Sequence, residues 1–203
     1  RMAETAAELR ARIGTASRDA QAAGGELSER QERNVEQRSA ESYAKENGMW
    51  IPLSETSSWN PMPSGNENNV YLNSDDGHVY KVNNLMNSKG IVPLFDRIAL
   101  HNQIFPSSRY DFVGFTGFDG GNVYPIFKQE YINDGTFATQ DEIGRYMNEL
   151  GYFPTGEAEY SNGHVTISDL RPRNVLKDSD GDIYVIDADF KLSESSEALK
   201  RLP

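Results

Sequence analysis

The spacing of apolar residues predicts two helices at the start of the chain. Residues 1–48 are rich in Ala, Glu, Arg and Gln, and Gly24-Gly25 divides them into two stretches with sparse apolar positions. Ser28-Glu29-Arg30-Gln31 has the form of a capping box and predicts the start of the second helix, which Gly48 would end. No heptad is sustained, so we expect a solvated helical extension or linker, docked on the core through at most a few residues, rather than a coiled coil.

From residue 49 onward the pattern changes to short apolar runs separated by turns. Runs of this kind, joined by Asp-Gly or Gly-Gly turns, predict β-hairpins, whereas apolar residues three or four apart predict helices. The predicted order is hairpin (64–82), helix (91–105), hairpin (111–132), helix (139–150) and hairpin (175–185). The pattern therefore predicts an α+β fold, with an N-terminal extension over 1–48 and a compact domain over 49–203.

Candidate chemistry is concentrated around the last hairpin. Asp169 and Asn174 are five residues apart, and Asn174 and Asp187 are thirteen apart. The predicted strand, Asp-Gly turn and strand over 175–185 would bring Asn174 and Asp187 side by side. Mg²⁺ prefers hard oxygen ligands and keeps several waters, so one amide oxygen and one carboxylate suffice to hold it in a phosphoryl-transfer site.

Each of these residues also has an ordinary structural interpretation. Asp and Asn are common in loops, and Asp-x-x-Pro-x-Asn alone could form a turn. The joint spacing favours a phosphotransfer site, in which Asp169 orients or deprotonates the acceptor hydroxyl and Pro172 stiffens the loop. The acidic run Asp178–Asp182 is interpreted as a plain hairpin turn, because it lacks the glycine and the distal glutamate of an EF-hand.

With these motifs the chain resembles a protein-kinase-like domain in a compact and divergent form. It is similar to the kinase-like domains within large polyvalent proteins of phages and mobile elements of gut bacteria. More distantly, it resembles small-molecule kinases related to aminoglycoside phosphotransferases. The motifs lie within residues 164–190, with weaker correspondence back to Ser64. The resemblance implies a β-rich N-terminal lobe, a reduced helical C-terminal lobe, and Mg²⁺ and ATP as cofactors.

The resemblance also implies roles for residues in the first half of the chain. Lys81, on the returning strand of the first hairpin, would contact the nucleotide phosphates; the alternative is a solvated lysine at a sheet edge. Asn66 and Val70 would belong to the loop and strand that cover the nucleotide. Glu130 and Tyr131 would lie in the segment joining the lobes, whose backbone would bond adenine, unless this is a strand end without a ligand.

Several positions depart from the resemblance. There is no glutamate between Glu67 and Glu130 to pair with the lysine, which leaves Asp96 or His101 as candidates to orient Lys81. Kinases carry His-Arg before the catalytic aspartate, but Ile167-Ser168 stands here, so we expect no control by a phosphorylated activation loop.

Three charged residues near the motif keep two interpretations each. Arg171 would donate to the transferred phosphate or remain a solvated loop charge, and the same two interpretations apply to Arg173, for which the loop charge is favoured. Asp189 would support the metal or cap a turn.

Composition narrows the classes of function. The net charge is −11 and no basic stripe is present, so direct nucleic-acid binding is not expected. The absence of cysteine excludes disulfides, thiolate zinc sites and cysteine nucleophiles. No apolar run is long enough for a membrane span and no secretory signal is present, so we expect a cytoplasmic protein.

The ends of the chain suggest a piece of something longer. It begins with Arg1, and only thirteen residues follow Phe190. We therefore expect either a very small second lobe or flanking domains in a longer parent protein. Two other functions stay open, namely an inactive nucleotide-binding module and a structural segment in which the motif residues only shape turns.

Overall fold

The computed structural model describes residues 2–193. They form two compact units. The first comprises the chain up to Ala99 together with Tyr110–Tyr131, and the second comprises Leu100–Arg109 and the chain from Ile132 onward. Both helices and antiparallel sheets are present, which confirms the predicted α+β class.

The first unit holds one antiparallel sheet and the N-terminal helices. The helices are α1 (Met2–Gly24), α2 (Glu29–Glu46), the short α3 (Leu53–Thr56) and α4 (Ile91–Ile104), whose last residues belong to the second unit. The strands are β1 (Asn60–Pro61), β2 (Asn68–Asn73), β3 (His78–Asn83), β4 (Asp111–Gly117) and β5 (Val123–Glu130). They lie in the order β1-β2-β3-β5-β4, so β3 is the central strand.

The helices α1 and α2 pack onto this sheet. The capping box at Ser28 and Gln31 starts α2 as predicted. Leu9, Ala40 and Ala44 are fully buried in one apolar cluster with residues of α4 and the sheet, among them Phe95 and Phe115. The few apolar residues of the N-terminal stretch are therefore core residues, and these helices are not simply solvated. The domain boundary after residue 48 stays a prediction.

Short strands form most of the second unit. Its one complete α-helix within residues 2–193 is α5 (Gln140–Glu149), which the predicted capping box of Thr139 and Glu142 starts. The strands are β6 (Thr136–Phe137), β7 (Phe153–Gly156), β8 (Glu159–Ser161), β9 (Val165–Ser168), β10 (Val175–Lys177), β11 (Ile183–Val185) and β12 (Asp189–Leu192). They form two sheets, β11-β10-β6 and β12-β9-β8-β7, which pack with α5 around Ile143, Met147, Ile167 and Leu170. The part that the resemblance implied to be helical is thus largely β over the described residues.

Of the helices within residues 2–193, none combines the length and the hydropathy that a membrane span requires.

Candidate functional site

The loop from Asp169 to Asn174 follows β9 and has an unusual start. Asp169 has a φ of 58°, in the left-handed region, which aspartate tolerates better than most residues. Leu170 is fully buried, and its amide N donates to the carbonyl of Ala158 at 3.1 Å. A strained backbone of this kind persists where the surroundings hold it, and such positions cluster at functional sites.

Three side chains hold the carboxylate of Asp169. Asn174 Nδ2 donates to Asp169 Oδ2 at 2.8 Å and also to the Asp169 carbonyl at 2.8 Å. Arg173 Nη2 donates to Oδ1 at 2.9 Å, and Arg171 Nε lies 3.4 Å from the same oxygen. Arg171 also donates to Glu157 at 2.9 Å. Asp169 is therefore fixed in one orientation by its own loop.

The hairpin that follows joins Asn174 to Asp187. Strands β10 and β11 pair in the register Val175 with Val185, as the sequence pattern requires. The carbonyl of Asn174 accepts the amide N–H of Ile186 at 2.9 Å and that of Asp187 at 3.4 Å. The hairpin thus brings these two candidate metal ligands together, although they are thirteen residues apart in the chain.

The remaining acidic residues of this region have identifiable surroundings. Asp178 accepts bonds from the amides of Asp180 and Asp182, at 3.1 and 2.8 Å, and from Tyr184 Oη at 2.9 Å. Its carboxylate therefore builds the hairpin turn, as predicted. Asp189 begins β12, is exposed, and pairs in register with Ser168, the residue before Asp169.

The donor set around Asn174 fits a magnesium ion. Because the amide nitrogen of Asn174 is bonded to Asp169, its amide oxygen is the atom that can meet a cation. Asp187 adds a half-buried carboxylate. No group of three or more His, Cys, Asp or Glu suited to a metal occurs in the described part of the chain. Mg²⁺ does not require one, because it commonly uses one or two carboxylates together with water and phosphate oxygens.

Lys81 lies in the central strand of the five-stranded sheet. Its side chain is buried, and it pairs in register with Val70 on one side and Phe127 on the other. Its Nζ donates to Tyr110 Oη at 3.1 Å and stands 4.9 Å from the centre of that ring. The alternative interpretation of Lys81 as a solvated lysine at a sheet edge is therefore wrong.

The candidates to orient Lys81 have other bonds. Asp96 forms an ion pair with Arg10 of α1, and its side chain is 53% exposed. His101 is buried, with its Nε2 3.0 Å from the carbonyl of Ser108. Asp96 is therefore part of a surface ion pair, and His101 is a packed core histidine.

The remaining candidates lie just before β2, within β2, and at or directly after the end of β5. Asn66 is exposed, and its carbonyl accepts from Asn84 Nδ2 at 2.6 Å. The amide N–H of Val70 donates to Ser64 Oγ at 2.9 Å. Glu130 is exposed at the end of β5, and the Tyr131 amide N–H donates to the Gly77 carbonyl at 3.0 Å. The chain passes from the first unit to the second directly after Tyr131.

Sequence reasoning missed two charged residues beside these candidates. Arg173 was interpreted as a loop charge, yet it bonds the carboxylate of Asp169; its i,i+4 spacing from Asp169 was the available signal. Glu67, in the loop before β2, is buried and pairs with Arg97 of α4. That pair joins residues thirty apart, and no local pattern indicates it.

These features together define a protein-kinase-like domain. An antiparallel sheet carries a buried lysine on its central strand, and an Asp-x-x-x-x-Asn loop leads into a hairpin that ends at a second aspartate. Residues 33–194 match the family described as Serine/Threonine/Tyrosine Kinase found in polyvalent proteins. The match covers more than half of the chain, so the chain belongs to this family, and the resemblance stated from its motifs is confirmed. No curated protein matches the chain.

Proposed function

We propose that this domain transfers a phosphoryl group from Mg²⁺-bound ATP to an acceptor hydroxyl. One observation supports this most strongly. Asn174 bonds the carboxylate of Asp169 through its amide nitrogen, while its backbone carbonyl accepts the amide of Asp187. The candidate base and both candidate metal ligands are thus linked in a single network.

In this proposal Asn174 and Asp187 hold the magnesium ion through oxygen. The ion, when bound, neutralises charge on the phosphates. Asp189 is two residues beyond Asp187 and exposed, so it would act through water or a second cation. Asp169 would orient the acceptor hydroxyl and take its proton. Arg173 and Arg171 hold its carboxylate in place until an acceptor arrives.

Lys81 would supply positive charge to the nucleotide phosphates, since phosphoryl transfer depends on positioning and electrostatics. Its burial supports this role, because a positive charge held away from water acts more strongly on a phosphate than a solvated one does. Asn66 and Val70 would cover the phosphates. The backbone N–H of Tyr131 already donates to Gly77. An adenine base would therefore have to bond the carbonyl oxygen of Tyr131 or a group of Glu130.

Calorimetric titration of ATP tests the metal part of the proposal. Wild type should bind ATP with magnesium and much more weakly with EDTA, and Asp187→Ala should abolish the magnesium dependence. Asp182→Ala, an exposed carboxylate at the turn of the same hairpin, is the matched control and should bind as wild type does. Equal binding by Asp187→Ala and wild type would contradict the proposal.

A catalytically inactive nucleotide-binding module is the second candidate. It is favoured by the absence of glutamate from α4, because active protein kinases use such a residue to hold the lysine. Release of radiolabelled phosphate from ATP, or its transfer to added hydroxyl compounds, distinguishes the two. Binding without any turnover supports the inactive module, and no binding at all supports a structural segment of a longer parent protein.

The cytoplasmic location stays a prediction.

A further inference from the structure

A buried ion pair joins α4 to the loop before β2. Arg97 donates to Glu67 Oε1, and the two side chains are only 15% and 8% exposed. Removing one partner of a buried ion pair is strongly unfavourable, so this pair ties the loop firmly to α4. Both residues belong to the first unit.

Asparagine side chains extend this pair into a network. Asn83, at the end of β3, donates to Glu67 Oε1 at 3.0 Å, and Asn87 donates to Oε2 at 3.3 Å. The Glu67 carbonyl accepts the amide of Asn84 at 2.9 Å. Burial by itself would raise the pKa of Glu67, but Arg97 and the side-chain amides of Asn83 and Asn87 lower that pKa below its ordinary value. The carboxylate is thus satisfied as an anion.

The network ties α4 to the loop before β2, which would cover the nucleotide in the proposed function. Glu67 directly follows Asn66 and lies three residues before Val70, and Asn83 lies two residues after Lys81. One carboxylate therefore connects α4 both with the loop and with the strand that carries the lysine. In protein kinases, the helix is coupled to the strand by a glutamate of the helix and the lysine itself. Here α4 has no glutamate. The helix supplies the positive partner, Arg97, and the loop before β2 supplies the glutamate, Glu67.

We infer that Arg97 and Glu67 are positioning residues that set the nucleotide-covering loop from α4. The inference rests on the proposed function for its effect on ATP, but not for the coupling itself. Loss of Arg97 would free the loop over residues 64–70, and nucleotide affinity would fall because the loop must then be ordered on binding.

Two measurements on the full chain test this inference. Hydrogen exchange without nucleotide reports the coupling, and calorimetry with Mg²⁺-ATP reports its effect. Arg97→Met should accelerate exchange in peptides covering 64–70 and weaken ATP binding on the order of tenfold. Arg97→Lys keeps the charge and should restore part of both. Arg10→Gln, which breaks only the exposed pair with the neighbouring Asp96, is the control and should change neither.

The outcomes separate the inference from the proposed function. Unchanged exchange over 64–70 in Arg97→Met would overturn the inference, whatever ATP does. If exchange is accelerated in Arg97→Met but the wild-type protein itself binds no ATP, the coupling is supported and the proposed function is rejected. If Arg97→Met does not fold, Glu67→Gln takes its place, because it removes the charge but keeps an acceptor for Arg97 and Asn83. Unchanged exchange over 64–70 in folded Glu67→Gln would overturn the inference.

Discussion

The two units hold their candidate functional residues in different ways. In the second unit, Asp169, Asn174 and Asp187 lie within nineteen residues and bond one another through one loop and one hairpin. In the first unit, Lys81 depends on distant partners such as Tyr110, and the loop is tied to α4 through Glu67 and Arg97. Substitutions in the candidate catalytic loop of the second unit should therefore alter chemistry with little change in stability. Substitutions in the first unit should alter stability and chemistry together.

Asp169→Asn should have the largest effect on turnover. Asparagine has nearly the same shape and tolerates the left-handed backbone, so the fold should be kept. Loss of the general base should lower phosphoryl transfer by about 10²–10⁴-fold, while ATP affinity changes little. Rates of phosphate transfer and calorimetry check this, with Asp180→Asn at the exposed hairpin turn as the control. Turnover equal to that of wild type would show that Asp169 is not the base.

Leu9→Ala should have the largest effect on stability. Leu9 is fully buried in the core of the first unit, although it lies in the N-terminal extension. Removing its side chain should lower the free energy of unfolding by about 2–5 kcal/mol, measured by urea denaturation. Leu27→Ala, between α1 and α2 and only partly buried, should cost less. Equal effects of the two substitutions would show that α1 adds nothing to the core.

The same contrast explains what the sequence could predict. The capping boxes at Ser28 and Thr139, the hairpin turns and the spacing of Asp169, Asn174 and Asp187 are local signals, and each predicted element is present. The packing of α2 was not predictable, because its polar side chains bond backbone groups far along the chain. Glu36 accepts the amides of Ile91 and Val92, Gln37 that of Val123, and Glu41 that of Gly120. On a helix these residues have the appearance of a solvated face.

The four-stranded sheet of the second unit was missed for a related reason. Its strands β7, β8, β9 and β12 are three or four residues long, and β7 is exposed along its whole length. Alternation of apolar and polar residues needs a longer run to be recognised. Pairing of Asp189 with Ser168 joins residues twenty-one apart, so no local pattern could indicate it.

Glu36 offers a smaller test of the long-range contacts. Its carboxylate caps the first turn of α4 from α2, at 2.9 Å from Ile91 N and 3.3 Å from Val92 N. Glu36→Ala should lower the free energy of unfolding by about 0.5–2 kcal/mol, as loss of an N-cap does, whereas Glu36→Gln keeps an acceptor and should cost less. Equal losses in the two variants would show that the cap contributes nothing.

The pH dependence of Glu36 has a definite sign. Burial raises its pKa above the ordinary value of 4.5, although the amides of Val92 and Ile91 oppose this. In the window between 4.5 and the raised value, the folded state binds more protons than the unfolded state. Stability should therefore fall as the pH rises through that window, and Glu36→Gln should remove this fall. Urea denaturation between pH 4 and pH 7 measures it.

Glu142 should show the opposite pH dependence, with an effect reduced by solvent screening because its partner Lys177 lies near the surface. Its carboxylate bonds Lys177 of β10 at 2.5 Å and closes the capping box with Thr139. These contacts, with the Lys177 bond the largest, lower the pKa of Glu142 to about 2. The unfolded state then binds more protons between pH 4.5 and pH 2, so the stabilisation is complete above that window and is lost as the pH falls through it.

Glu142→Gln keeps the cap but removes the charge, and it should flatten the acid limb of the stability curve over that window. Glu149→Gln, on the last turn of α5, is the matched control and should leave the curve unchanged. High salt should reduce the difference between wild type and Glu142→Gln, because an ion pair near the surface is screened. A difference that does not respond to salt would assign the effect to the stronger hydrogen bonds that a carboxylate, compared with an amide, accepts from Thr139. The second unit would then be held at this point by local backbone contacts and not by charge, in contrast to the loop from Asp169 to Asn174, where Arg173 and Arg171 pair with a carboxylate.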